Sequence, residues 1–278
     1  MSKKSILAFG SVILMSLSSW ASYENTTAVG VEEESIDFTH ALSFSVSTNT
    51  VDQSDQELLN QGVFYNGTYF FAKRKYYLAG GLGASYQSVD TELVENDNGI
   101  FEITDLRITF GTSGWNLYRG KKDSLSLYNS LSNTLALSET SRSDGYQSIP
   151  TGALDLVYRR GSLDYVLSGR YTYVFNEFDT RVDGSSNTES VATAALAIRY
   201  NMKHFRFQYG YRVGLINYLD GTTIGSSGNS FSITGIINNS LWAAVSTSNI
   251  NNVEEQFVDV WFYDPFIRIY RLSMGVTF

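Results

Sequence analysis

The sequence predicts an all-β protein: an antiparallel transmembrane β-barrel of about twelve strands, with ten or fourteen strands as the alternatives. About a dozen segments alternate apolar and polar residues with a period of two, which gives a β-strand one apolar face and one polar face. The connections between these segments also alternate, because one set is short and basic whereas the other is long and mostly acidic. Together, the two patterns favour a closed barrel in a membrane.

The final segment is the clearest strand. Tyr270, Leu272, Met274, Val276 and Phe278 occupy its apolar face, and small or polar residues alternate with them. A strand of this kind that ends on an aromatic residue resembles the last strand of Gram-negative outer-membrane β-barrels. That resemblance implies a multi-pass protein of the cell outer membrane, with the lipid bilayer and lipopolysaccharide as partners. It also implies that the barrel-assembly machinery reads Tyr270, Met274, Val276 and Phe278.

The N-terminus is typical of a secretory signal. Lys3 and Lys4 precede an apolar run at 6–17, and Ser19 and Ala21 supply the small residues that a signal peptidase reads. The run is shorter than the ~20 residues that a membrane-spanning helix needs. We therefore predict a signal peptide at 1–21, a short exposed segment at 22–35 and the barrel at 36–278.

The predicted strands follow one another along the rest of the chain. They cover 38–46, 63–71, 76–86, 106–118, 125–137, 154–158, 163–175, 192–200, 205–215, 231–237, 241–245 and 270–278. The ninth is the most regular: Tyr209 belongs to its lipid-facing set, and Gln208 faces the lumen, where an Arg should be tolerated. The stretch 258–269 contains Pro265 and is left open as loop, strand or bulge.

The connections predict the orientation in the membrane. The short basic turns are 72–75, 119–123, 159–161 and 201–203; the long polar loops are 47–61, 88–100, 138–149, 177–189, 220–228 and 249–256. Short periplasmic turns and long extracellular loops are the asymmetry of outer-membrane barrels. A soluble β-sandwich would not place Tyr and Phe on nearly every strand, because only its inner faces are buried. A solenoid would need a fixed-length repeat, which we do not find.

Charged residues on the polar faces should point into the lumen, because placing an ion in hydrocarbon has a high free-energy cost. The residues at these positions are Arg107, Arg170, Arg212, Arg206, Arg199, Asp155 and Asp164. Arg107, Arg170 and Arg212 fall at similar depth, and such a group across a narrow pore selects anions. In architecture and lumen charge the chain resembles small twelve-stranded porin-like channels, which implies passage of small solutes.

A structural role for the same arginines is the alternative. Arg170 would then pair with Asp155 or Asp164, and Arg107 with Asp105, to fill a closed barrel. Small residues at many lumen positions favour an open pore instead; examples are Ala79, Gly81, Gly83, Ala195 and Gly275.

No catalytic residues, metal site or cofactor are predicted. His40 and His204 both fall near the short-turn end, where we expect an interfacial residue and a turn residue, far from any extracellular nucleophile. The net charge of −8 argues against a nucleic-acid partner. The function predicted is a channel for small solutes or ions, with an anion preference from the arginines. The alternatives are an adhesion or surface-structural barrel that acts through its acidic loops, and an outer-membrane hydrolase.

The first testable prediction concerns assembly. Deleting Phe278, or replacing it with Asp, should leave the protein unassembled in the periplasm, because the terminal aromatic residue completes the proposed assembly signal. Cell fractionation and protease resistance measure this outcome. A deletion variant that reaches the outer membrane at the wild-type level would refute the assignment.

Overall fold

The computed structural model describes residues 38–51, 57–72, 74–90, 100–181, 184–237, 240–253 and 267–277, which form a closed antiparallel β-barrel. The predicted signal peptide, the segment 22–35 and Phe278 lie outside these residues.

The first half of the chain supplies β1 (Phe38–Val51), β2 (Glu57–Phe71), β3 (Tyr76–Asp90), β4 (Ile100–Ile103), β5 (Leu106–Thr112), β6 (Trp115–Arg119) and β7 (Asp123–Leu135). The second half supplies the helix α1 (Glu139–Ser143), then β8 (Tyr146–Arg160), β9 (Leu163–Tyr173), β10 (Phe175–Asn176), β11 (Thr188–Asn201), β12 (Phe205–Tyr218), β13 (Thr223–Ile236), β14 (Leu241–Val253) and β15 (Ile267–Thr277). No helix among the described residues is long and apolar enough to cross a membrane.

These strands fill twelve positions around the wall. β4 and β5 both pair with β3, while β5 and β6 both pair with β7, so the three short strands share one position. β10 follows β9 and pairs with β8, so these two share another. The ring closes where β1 pairs with β15, from Ala41 opposite Thr277 to Val51 opposite Ile267. The prediction of a twelve-stranded antiparallel barrel is confirmed.

The strands extend further at the long-loop end than the sequence predicts. β1 continues to Val51 and β2 begins at Glu57, within the predicted loop 47–61. The predicted loop 220–228 is wrong in most of its length, because β13 already begins at Thr223. β2 has 15 residues, whereas ~9–11 suffice to cross a bilayer. Above the membrane both faces of a strand meet water, so backbone pairing continues without the apolar alternation that reveals it.

The outer surface is apolar. Leu131, Leu154, Leu167, Leu196 and Val245 are each more than half exposed and point away from the barrel axis. Large aliphatic side chains exposed around the whole circumference are typical of a surface that lipid covers. With the closed ring, this belt makes the chain a multi-pass membrane β-barrel.

Aromatic side chains mark one edge of this belt, at the short-turn end. Tyr76 stacks on Phe71 and Phe110 with ring centroids 5.8 and 6.0 Å apart, and Tyr158 stacks on Tyr165 at 6.2 Å. Such rings favour the boundary between lipid tails and headgroups. They place the short turns at, or just beyond, the headgroups of one leaflet.

The second prediction tests which residues face lipid. Val245→Arg should lower the free energy of unfolding by about 2–4 kcal/mol, because Val245 is exposed to lipid near the middle of β14. Ala244→Arg places the same side chain toward the lumen and should cost less than half as much. Urea unfolding in lipid vesicles measures both values. Equal destabilisation would contradict the assignment, because a shift of one residue exchanges the two faces.

Candidate functional site in the barrel lumen

A belt of polar side chains lines the lumen from β5 to β9. On β5, Arg107 donates a hydrogen bond from Nη2 to Ser132 Oγ at 3.2 Å. Ser132 lies opposite Thr151 in the β7–β8 register, and the hydroxyls of Thr151 and Thr172 are 2.9 Å apart. Thr172 is two residues from Arg170 on the same face of β9. A row of neighbouring polar side chains therefore leads from Arg107 to the strand that carries Arg170.

The belt continues from β9 to β12. Arg170 lies opposite Thr193, and Arg212 lies opposite Ala195 two residues away on the same strand, β11. Arg107, Arg170 and Arg212 all lie on lumen-facing positions of their strands. The barrel thus brings three cations to one side of its lumen, where their mutual repulsion favours an anion between them.

The lumen arginines at the short-turn end belong to a separate network. Asp164 is almost fully buried and accepts hydrogen bonds from Arg159 Nε at 2.9 Å and Asn201 Nδ2 at 3.2 Å. Arg206 Nε donates to Asn201 Oδ1 at 2.9 Å. The alternative in which Asp164 pairs with Arg170 is therefore wrong, because the β8–β9 register places Asp164 directly opposite Arg159.

Asp105 anchors a loop. Its carboxylate accepts hydrogen bonds from Leu137 N at 2.9 Å, Ser138 N at 2.8 Å and Ser141 Oγ at 2.6 Å. These donors belong to the connection that contains α1, where Ser138 is the N-cap. Pairing of Asp105 with Arg107 is therefore wrong, since three donors of the loop already surround the carboxylate.

Of the predicted lumen carboxylates, Asp155 is the one that lies beside the arginine belt. It lies opposite Ser168 and is diagonal to Arg170 across β8 and β9. Its Oδ1 atom is buried and accepts no hydrogen bond from the described residues. Asp155 is therefore a negative group within the lumen whose charge opposes that of the arginine belt.

The environment of Gln208 also differs from the expectation. Gln208 is 6% exposed, and its Oε1 atom accepts a hydrogen bond from Arg199 Nε at 2.7 Å. Replacing Gln208 with Arg would remove this acceptor and bring two cations together. A lumen-facing residue in this barrel can thus be fully packed, and the tolerance of this position for Arg stays a prediction.

Several small lumen residues do not leave empty space. A Cβ atom on Gly62 would lie 2.6 Å from the ring of Phe64, and one on Gly275 would lie 2.6 Å from the ring of Trp242. The Phe64 ring also covers Gly83. Glycine on a neighbouring position therefore lets each ring lie close against the wall. The inference that Gly83 and Gly275 add open volume is corrected, because an aromatic ring already lies against each of them.

An apolar layer separates the arginine belt from the network at the short-turn end. Val157, Val166 and Ala197 are buried neighbours on β8, β9 and β11, and Tyr128 packs against them. Along β9 the lumen-facing order is Asp164, Val166, Ser168 and Arg170. The lumen therefore changes from charged to apolar to cationic within four positions.

Sequence reasoning missed two parts of the lining. The alternation of the strands predicts that Ser132 and Thr172 face the lumen, but it does not predict that their hydroxyls, with that of Thr151, lie beside the arginines. Arg271 on β15 also faces inward, between Ser47 and Ser246 of the neighbouring strands. The alternation of the terminal strand predicts this orientation, and the register adds Arg271 to the candidate site residues.

The two histidines show no catalytic arrangement. His40 Nδ1 forms a hydrogen bond with the Tyr65 hydroxyl, and its ring contacts that of Phe38 edge-on at 4.1 Å. The His204 carbonyl oxygen accepts a hydrogen bond from Ile236 N at 2.8 Å beside the short turn. Within the described ranges, no group of three or more His, Asp or Glu residues could hold a metal ion.

Comparison with known proteins identifies the fold. No family model matches the sequence, and no curated protein does. The chain is similar to the crystal structure of an outer membrane channel from Pseudomonas putida F1, with a TM-score of 0.63 and 10% identity over 89% of this chain and 100% of that chain. It is also similar to the translocator domain of the autotransporter NalP from Neisseria meningitidis, with a TM-score of 0.51 and 10% identity over 100% and 99%. The shared architecture is the outer-membrane β-barrel. Because these two proteins differ in their described roles, the fold does not by itself decide what this chain does.

The third prediction tests the role of Asp105. Asp105→Ala removes the acceptor of three hydrogen bonds, and each bond to a charged group contributes about 1.5–3 kcal/mol. Losing even one should raise the open population of the α1 loop about tenfold or more. Trypsin should then cleave after the exposed Arg142 faster by the same factor, while Asp123→Ala at the other end of the barrel serves as the control. Unchanged cleavage at Arg142 would show that Asp105 does not hold the loop.

Proposed function

We propose that this protein is an outer-membrane channel that passes small solutes or ions and prefers anions. The observation that supports the proposal is the group of Arg107, Arg170 and Arg212 on one side of the lumen. The carboxylates of Asp105 and Asp164 bind other groups: the first accepts hydrogen bonds from the loop that contains α1, and the second pairs with Arg159.

An anion in this lumen would exchange part of its hydration shell for guanidinium and hydroxyl groups. Arg107 and Ser132 are already in contact, and Thr172 lies beyond them on the way to Arg170. Several donors in succession give a solute more than one place to bind, which permits passage without tight retention. The acidic loops oppose this preference only weakly, because exposed charges are screened beyond ~10 Å at 0.1 M salt.

The proposal of an outer-membrane channel also covers catalysis, partners and export. The barrel acts without catalysis, since neither His40 nor His204 is placed to activate a nucleophile. Lipopolysaccharide and the barrel-assembly machinery are its proposed partners, and removal of residues 1–21 accompanies export. No nucleic acid and no cofactor take part.

A surface-structural or adhesive role is the second candidate. It is favoured by two long loops that are held in a defined structure by hydrogen bonds. Asn187 is fully buried and donates hydrogen bonds from Nδ2 to the carbonyl oxygens of Asp144 at 2.9 Å and Phe178 at 2.8 Å. Glu177 N donates to Gly145 O at 2.7 Å. These contacts join the β7–β8 and β10–β11 connections into one ordered surface that an external partner could bind.

The fourth prediction separates the two functions. In planar bilayers under a KCl gradient, the wild type should conduct with a reversal potential on the anion-selective side. Replacing Arg107, Arg170 and Arg212 with Gln should move that potential toward zero or reverse its sign, whereas replacing all three with Lys should largely preserve it because the charge is kept.

A wild type that prefers cations would overturn the arginine assignment, and so would a Gln variant with unchanged selectivity. A folded wild type with no conductance would favour the surface-structural role.

A further inference from the structure

The short-turn end of the barrel carries a concentrated positive charge, most of which lies outside the lumen and has no part in the channel proposal. Five exposed cations lie in the adjacent β6–β7 and β8–β9 turns or at the strand ends that flank them, and they are called the basic patch: Arg119, Lys121, Lys122, Arg159 and Arg160. The carboxylates beside them, Asp123 and Asp164, leave a net charge of +3 in a chain whose total is −8. Charge segregation of this degree indicates an anionic partner.

The two turns form one surface. Gly161 N donates a hydrogen bond to Lys122 O at 3.3 Å, and the register sets Asp123 opposite Arg160 and Ser124 opposite Arg159. The cations of both turns therefore lie side by side. Asp164 is occupied with Arg159, and Asp123 accepts a hydrogen bond from the Tyr158 hydroxyl at 3.2 Å, so each carboxylate has a partner of its own.

Aromatic residues fix the depth of the basic patch in the membrane. Tyr158 stacks on Tyr165 on the lipid-facing side, and Arg160 lies two residues below Tyr158 on the same face of β8. On β6, Trp115 and Tyr118 are also exposed. Because such rings settle at the boundary between tails and headgroups, the cations beyond them lie at headgroup level.

The unpaired edge of β6 is independent evidence that the basic patch lies at headgroup level. Within the described ranges, β6 is hydrogen-bonded only to β7, at one end of the sheet order, so its other edge has no strand beside it. An open edge of N–H and C=O groups is not tolerated in hydrocarbon. β6 must therefore lie among the headgroups or in water, where its N–H groups can meet phosphate oxygens.

We propose that the basic patch and the free edge of β6 form a binding site for the headgroup of an anionic phospholipid in the periplasmic leaflet. The headgroup phosphate would accept hydrogen bonds from Lys121, Lys122 and Arg160, and its acyl chains would continue along the apolar wall past Tyr158. A lipid fits better than an acidic protein, because the cations adjoin a lipid-facing apolar surface. The proposal does not depend on the channel function.

The test compares two variants with the same loss of charge. The patch variant is Lys121→Gln, Lys122→Gln and Arg160→Gln, which leaves the Arg159–Asp164 ion pair intact. The control variant is Arg74→Gln, Lys75→Gln and Lys203→Gln, which removes three cations from other turns at the same end. Each protein is refolded into phosphatidylcholine vesicles with and without phosphatidylglycerol, and its unfolding in urea is measured.

Phosphatidylglycerol should shift the unfolding equilibrium of the wild type toward the folded state by roughly fivefold or more at low salt. The control variant should keep most of this shift, and the patch variant should lose most of it. High salt should abolish the shift, because the cations are exposed. Native mass spectrometry should also show retention of phosphatidylglycerol over phosphatidylcholine by the wild type and not by the patch variant.

Two results would overturn the proposal. No effect of phosphatidylglycerol on the wild type would exclude headgroup recognition, and equal loss in the two variants would show a diffuse charge effect without a site. If the patch variant does not refold, the double variant Lys121→Gln and Lys122→Gln, whose changes lie only in the turn, decides between these outcomes.

Discussion

The pairing of β1 with β15 is the contact on which the rest of the structure depends. Hydrocarbon offers no hydrogen-bond partner to a backbone N–H or C=O group, so a sheet can cross a membrane only if it has no open edge at that depth. The ladder from Ala41 opposite Thr277 to Val51 opposite Ile267 satisfies this condition with residues from the two ends of the barrel sequence. Every other feature, including the lumen, exists because this closure separates an outside from an inside.

Closure also divides the side chains between two environments with opposite requirements. Outward residues must be apolar, and inward residues are free to be charged, small or aromatic. The inward set is arranged in levels: the Asp164 network at the short-turn end, the apolar layer around Val166, and then the arginine belt at Arg170. The two ends differ as well, since the long-loop end is ordered by Asp105 and Asn187, whereas the short-turn end is basic and bounded by aromatic rings.

Positive charge is concentrated in two places, the basic patch at the short-turn end and the arginine belt in the lumen, with the apolar layer around Val166 between them. The total charge of −8 conceals this distribution, because the acidic residues are concentrated in the long loops. Local composition of each end and face therefore describes the chemistry of this barrel better than the net charge does.

The sequence by itself determined that the chain forms a barrel of about twelve strands, which face of its clearest strands is apolar, and that short turns lie at one end and long loops at the other. These properties are local, because two solvents impose a period of two on every segment that crosses the membrane. Only the tertiary structure decided the partners of Asp105 and Asp164 and the burial of Gln208. Asp105 binds Ser138, which is 33 residues away, and that pairing depends on strand register and loop path rather than on local pattern. The strand ends beyond the bilayer stayed hidden for a related reason: water on both faces removes the alternation, while backbone pairing alone continues the strand.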